Sequence, residues 1–204
     1  MRRSNPWLSL LLLAGLSACT PAVPPERDLL IATATTGGTF YPVGVAMATL
    51  IANELGPTEK VLASAITSSG SAENVAMLRS GEVQIGILQA VFASMARQGA
   101  GLYEGRPTPA LRGLAMLWPN VEQLVVYRRF APTGYIDDLA GMGGEMISLG
   151  PRSSGTEVSA RAILTTLGFE PGRDFKVANL EYGASADALQ DRRIGGAFLP
   201  GGIP

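Results

Sequence analysis

The 204-residue chain has no histidine, one cysteine and two lysines, Lys60 and Lys176. Without histidine there is no imidazole base, no His-ligated metal and no Cys–His pair. A single cysteine rules out an intramolecular disulfide. Serine chemistry is poorly served too. No G-x-S-x-G turn is present, and Ser153 or Ser154 would have only Lys60 or Lys176 to activate it. Charge of one sign is also lacking: 16 Lys+Arg stand against 17 Asp+Glu, for a net charge of −1. There is no basic excess with which to hold nucleic acid. These absences predict a protein that is not an enzyme, binds no metal and carries no cofactor. What is present is 25 glycines, 14 prolines and 47% hydrophobic residues, enough for one or two small globular domains.

The first 19 residues read as a targeting segment. Arg2 and Arg3 give a positive start, and residues 7–16 are apolar but too few to span a bilayer as a helix. Leu16-Ser17-Ala18-Cys19 resembles a bacterial lipobox, so Cys19 is the expected lipidation site and membrane anchor. Residues 20–28, with Pro21, Pro24 and Pro25, are expected to form a stiff tether.

The chain is organised around Thr33-Ala34-Thr35-Thr36-Gly37-Gly38-Thr39-Phe40-Tyr41-Pro42. An apolar run at 29–32 precedes it as a strand, and residues 43–55 follow with the apolar spacing of a helix stopped by Gly56-Pro57. A strand, a polar glycine-rich turn and a helix start together offer unpaired backbone N–H groups and partial positive charge to an anion. No lysine follows the glycines and the G-x-G-x-x-G spacing is missing, so neither nucleotide motif applies. A plain strand-to-helix turn is the other reading of this stretch alone. The pattern then recurs. Residues 61–66 read as a strand, 67–71 as a hydroxyl-rich turn and 72–79 as a helix. Residues 82–88 read as a strand ending at Gln89, and 91–100 as a helix. Strands alternating with helices predict a mainly parallel sheet, which binds ligands beyond the carboxyl ends of its strands.

In the second half, residues 111–118 and 123–128 read as strands, and 130–138 as the crossing into a second domain. A short strand at 145–149, the turn Gly150-Pro151-Arg152-Ser153-Ser154-Gly155-Thr156 and a helix at 157–167 repeat the opening pattern. Ser153 to Thr156 would serve equally well as an ordinary helix cap. A strand at 175–180, a helix at 184–191 and a strand at 194–199 follow. Met77, Met95, Met116, Met142 and Met146 read as core filler.

Several separated blocks resemble the TAXI family, the solute receptors of TRAP (tripartite ATP-independent periplasmic) transporters. They are Thr35-Thr36-Gly37-Gly38-Thr39-Phe40-Tyr41-Pro42-Val43-Gly44, Gly70-Ser71-Ala72-Glu73-Asn74-Val75, Gly86-Ile87-Leu88-Gln89, and Gly150-Pro151 through Ser154-Gly155-Thr156. The resemblance runs from about residue 29 to 204. It implies a type II periplasmic-binding-protein fold, α/β in class, with lobe I at 29–128 and lobe II at 129–204. It further implies a periplasmic or cell-surface lipoprotein. Such a receptor captures a small organic anion, a glutamate-like amino acid or a dicarboxylate, and passes it to the membrane subunits of a TRAP permease. Carried over residue by residue, ligand contact falls on Gly38, Thr39, Phe40, Tyr41, Gln89, Ser154, Gly155 and Thr156. Asn74 is carried over as well, with bracing of its own helix as the other reading. A ligand-presenting sensor lipoprotein fits the same residues.

Two departures stand out. Where the family often has Gln-Ser-Asp, this chain has Gln89-Ala90-Val91, which removes a carboxylate suited to an ammonium group. The family also continues beyond Gly201-Gly202-Ile203-Pro204, so a C-terminally truncated receptor with an incomplete second lobe is expected, and with it a fragment that does not bind.

Overall fold

A computed structural model describes residues 27–201. The targeting segment, Cys19, most of the tether and the last three residues lie outside the described residues.

The first half is built from β1 (Arg27–Ala32), α1 (Phe40–Glu59), β2 (Val61–Ile66), α2 (Ser71–Ser80), β3 (Ile85–Gly86) and α3 (Ala90–Gln98). β1 pairs in parallel with both neighbours, giving the order β2-β1-β3. Parallel neighbours need a crossover, and α1 and α2 supply it. Ile31 and Ala32 at the end of β1 are fully buried, as expected of a central strand covered on both faces. α1 packs closely because Gly44 has no side chain. A Cβ there would stand 2.3 Å from Thr33 Cγ2.

The second half contains β4 (Val121–Val126), β5 (Met146–Ser148), α4 (Gly155–Thr166), β6 (Lys176–Ala178), α5 (Tyr182–Gln190) and β7 (Gly196–Gly201). Its sheet runs β4-β7-β5-β6, with β4 antiparallel to β7 and the other pairs parallel. Met142, Ile147, Leu149, Leu164, Phe175 and Phe198 form its core. Each such side chain contributes about 1.5–3 kcal/mol by leaving water. Because β4 belongs to this sheet, the chain crosses between sheets before Val121, earlier than the 130–138 crossing read from the sequence. The two halves touch directly: Val158 of α4 packs against the Val75–Phe92–Ala96 cluster of the first half.

The alternation of strands and helices is as expected, with four corrections. α1 continues through Gly56-Pro57 to Glu59. Proline in the last turn removes one N–H bond, and left-handed Lys60 (φ 55°) then closes the helix by donating its N–H to the Leu55 carbonyl. The strand expected over 82–88 pairs only at Ile85–Gly86. The strand expected over 111–118 does not form. The run is apolar, but only Trp118 in it is a strong strand former, and no described strand lies alongside to take the ladder bonds. Met116, read as core filler, lies in this stretch and is 83% exposed. Met146 is exposed too.

Candidate functional site

Parallel strands deliver every following helix to one edge, so helix starts gather there. In this protein the gathering is complete among the described residues. Phe40 opens α1, Ser71 opens α2, Gln89 caps α3, Gly155 opens α4 and Tyr182 opens α5. All five line one recess between the halves. Gly38, Thr39, Gly70, Asn120, Thr156 and Pro200 complete much of its wall. Five helix starts, each with its positive dipole end, make this recess favourable to negative charge.

Two tethers hold the edge in shape. Asn74 is fully buried, and its amide donates to the Thr33 carbonyl at 2.6 Å and the Ile87 carbonyl at 2.8 Å. The same amide approaches the Ala32 carbonyl at 3.4 Å, and the Ser68 hydroxyl donates to Asn74 Oδ1 at 2.5 Å. Asn74 thus locks the ends of β1 and β3 to α2. The Ser71 hydroxyl accepts from the Gln89 backbone N–H at 3.0 Å, which fixes the start of α3.

Of the residues read from the sequence, Gly38, Thr39, Phe40, Gln89, Gly155 and Thr156 are brought together on the recess. Three are not on its wall. Tyr41 sits half-buried on α1. Asn74 is the brace just described. Ser154 is buried with its hydroxyl accepting from the Glu157 N–H at 3.0 Å, so it caps α4. Arg152, the cation of the second glycine-rich turn, is exposed and off the recess. Among the described residues no group of three or more acidic or cysteine side chains could hold a metal ion.

The sequence reading missed Tyr182, Asn120 and Glu122. The Tyr182 hydroxyl lies 2.9 Å from Thr156 Oγ1. Burial pushes its phenol pKa up, hydrogen bonding to Thr156 pulls it down, and the Glu122 charge pushes it up again. Glu122 Oε1 accepts from Gln89 Nε2 at 3.1 Å, joining the two halves. Glu122 Oε2 is buried with no hydrogen-bond partner. Burial raises the Glu122 carboxyl pKa, against the pull of Gln89 and Ser159. The Ser159 hydroxyl is directed to Gln89 Oε1, 3.4 Å away.

A family model described as NMT1-like matches residues 31–204. Among solved structures, the effector-binding domain of QuiR in complex with shikimate aligns over 87% of this chain and 75% of its own, with TM-score 0.58 and 12% identity. The binding protein component of an ABC phosphonate transporter from Pseudomonas aeruginosa aligns over 87% of this chain and 58% of its own, with TM-score 0.57 and 10% identity. The alkanesulfonate-binding protein SsuA from Xanthomonas axonopodis pv. citri, bound to MOPS, aligns over 86% and 55%, with TM-score 0.51 and 13% identity. The fold is therefore the lobed α/β fold of periplasmic binding proteins. The chain spans little more than half the length of the alkanesulfonate-binding protein.

Proposed function

The chain belongs to the NMT1-like family, and from that premise we propose that it is an extracytoplasmic solute-binding receptor for a small organic anion. The observation that carries this reading is the convergence of five helix starts on one recess between the halves. An anionic group held there is met by backbone N–H groups and by the hydroxyls of Thr39, Ser71, Thr156 and Tyr182. Uncharged donors suit a receptor, because they bind firmly without trapping the ligand behind full ion pairs. Binding proceeds by closure of the two halves, with the ligand favouring the closed form through contacts to both.

The finer reading is a TAXI-type receptor, tethered by lipidated Cys19 and feeding a TRAP permease with a glutamate-like amino acid or a dicarboxylate. Gly38, Thr39, Phe40, Gln89, Gly155 and Thr156 are its proposed ligand contacts, with Tyr182 and Asn120 added. Tyr41, Asn74 and Ser154 support the site from behind.

A thermal-shift panel of glutamate, glutamine, dicarboxylates and other small organic acids tests the reading. A ligand selective for the folded state raises the melting temperature, by about 2.7 kcal/mol of stabilisation at one hundred times Kd. A concentration-dependent rise with one class of acid supports the proposal. A cooperative melt that no acid moves contradicts it.

A further inference from the structure

Among the described residues, two aromatic side chains line the recess, Phe40 and Tyr182. Phe40 packs edge-on against Trp118. Tyr182 does something different, because it reaches from one half of the molecule to the other. It opens α5 in the second half, and its ring lies against Gly38 in the glycine turn of the first. A Cβ built on Gly38 would stand 3.1 Å from Tyr182 Cε2 and 3.4 Å from Cδ2. A Cβ on the neighbouring Gly37 would stand 3.5 Å from the Gly183 nitrogen, so the turn and the start of α5 face each other closely. At the far end of the ring, the hydroxyl lies 2.9 Å from Thr156 Oγ1 in the first turn of α4.

The ring is thus held at three places: at its root by α5, along one edge by the glycine turn, and at its tip by Thr156. Gly38 and Thr156 line the recess with it. About 30 Å³ of free space remains inside, room for roughly two water molecules. Each carbon that a ligand adds behind its anionic group must therefore displace wall rather than fill a void, and a packed wall resists added methylenes. Gly38, Gly70 and Gly155 have no side chain to withdraw. The Tyr182 ring has one, and it is anchored.

We infer that the Tyr182 ring is the length stop of the recess, so that the receptor selects the short members of its acid class and rejects their longer homologues. This deepens the receptor reading above and rests on it. The helix starts hold the anionic group whatever follows it, and the ring decides how much can follow. One methylene too many against an apolar wall gives discrimination of about 10–200-fold.

The test uses the full chain and three series graded by chain length: acetate to hexanoate, malonate to adipate, and aspartate, glutamate and 2-aminoadipate. Affinities are read by isothermal titration calorimetry for the wild type, Tyr182→Ala, Tyr182→Leu and Tyr182→Phe, with each melt recorded to establish folding. Alanine is a strong helix former and suits the first position of α5. In the wild type, affinity within a series that binds peaks at one member and falls about tenfold or more at the next longer one. Tyr182→Ala, or Tyr182→Leu should the alanine variant not fold, moves the peak to a longer member. Tyr182→Phe keeps the ring and so keeps the peak. A peak that the folded alanine or leucine variant leaves in place overturns the inference while the receptor reading stands. So does a wild-type affinity that climbs with every added carbon, or a peak that Tyr182→Phe moves as far as Tyr182→Ala does. If no acid in any series binds the folded wild type, the receptor reading for small acids falls, and this inference with it.

Discussion

The Gln89 side chain lies against the first residue of α4. A Cβ built on Gly155 would stand 2.7 Å from Gln89 Cδ and 2.8 Å from its amide nitrogen. The same amide reaches Glu122. Gln89 therefore bridges the two halves only because position 155 is glycine.

Gly155→Ala follows from this contact. The first turn of α4 accepts alanine, and Gln89 can swing its flexible end aside, so the melting temperature should stay within about 2 °C. The displaced amide no longer spans the halves, and affinity for the best-binding acid should fall about tenfold or more. Calorimetric titration beside a melt checks both. A large loss of stability, or unchanged affinity, would contradict the bridging role.

Asn74→Ala should act on stability. It removes the donor for the Thr33 and Ile87 carbonyls at a fully buried position. Unsatisfied buried acceptors cost about 1–3 kcal/mol each, so a loss of roughly 2–4 kcal/mol is expected in urea unfolding. A loss under about 0.5 kcal/mol would show that the carbonyls find other partners.

Ser154→Ala should cost about 1 kcal/mol through the lost cap on Glu157 N–H. Because the hydroxyl is already committed to the cap, ligand affinity should change less than threefold, or about 0.6 kcal/mol. Ser154→Asp, which retains a capping acceptor, should recover part of the stability. A loss of affinity far beyond the loss of stability would put Ser154 in direct contact with ligand.

Glu122 gives the ligand-free protein a pH dependence. Its folded pKa is raised by burial, so the folded state holds this proton more tightly than the unfolded chain. Its contribution to stability is complete below the unfolded carboxyl range and is lost as pH rises through the raised folded value. Tyr182, the titratable neighbour, is itself pushed above the ordinary phenol range and stays neutral across this window. Glu122→Gln should remove that part of the slope and stabilise the protein at neutral pH. Melts from pH 4 to 8 on both forms measure it. Parallel profiles would show that Glu122 titrates as it does in the unfolded chain.

Much of the fold is legible in the sequence because strand and helix periods differ. The apolar run of β1 and the spaced apolar residues of α1 announce a β/α unit, and Gly-rich turns mark the edge. Six of the nine expected contacts fall on the recess for the same reason, since they sit in those turns. Glu122 is illegible there. In a row with Val121 and Gln123 it looks like the wet face of an edge strand, and only the register with Pro200 and a bond to a residue 33 positions away give it meaning. Asn74 fails differently. An amide near the start of α2 suits a ligand or a brace equally, and the three carbonyls that decide the matter come from two strands. The 111–118 stretch reads as a strand because it is a short apolar run, whereas a strand exists only with a neighbour to pair with.

The central claim is that the recess between the halves is where a small acid binds, and Trp118 reports on it. Its ring meets the Phe40 ring edge-on, with centroids 5.8 Å apart, and Phe40 lines the recess. Trp7 is the other tryptophan in the chain, so a Trp7→Phe background leaves Trp118 as the sole tryptophan, excited selectively over the five tyrosines at the red edge of the absorption band. Titrating that protein with the small-acid panel should give a saturable change in Trp118 emission for the binding acid, and Phe40→Ala should abolish it. A folded protein whose Trp118 emission does not respond to any acid that shifts the melt would place binding elsewhere and contradict the account.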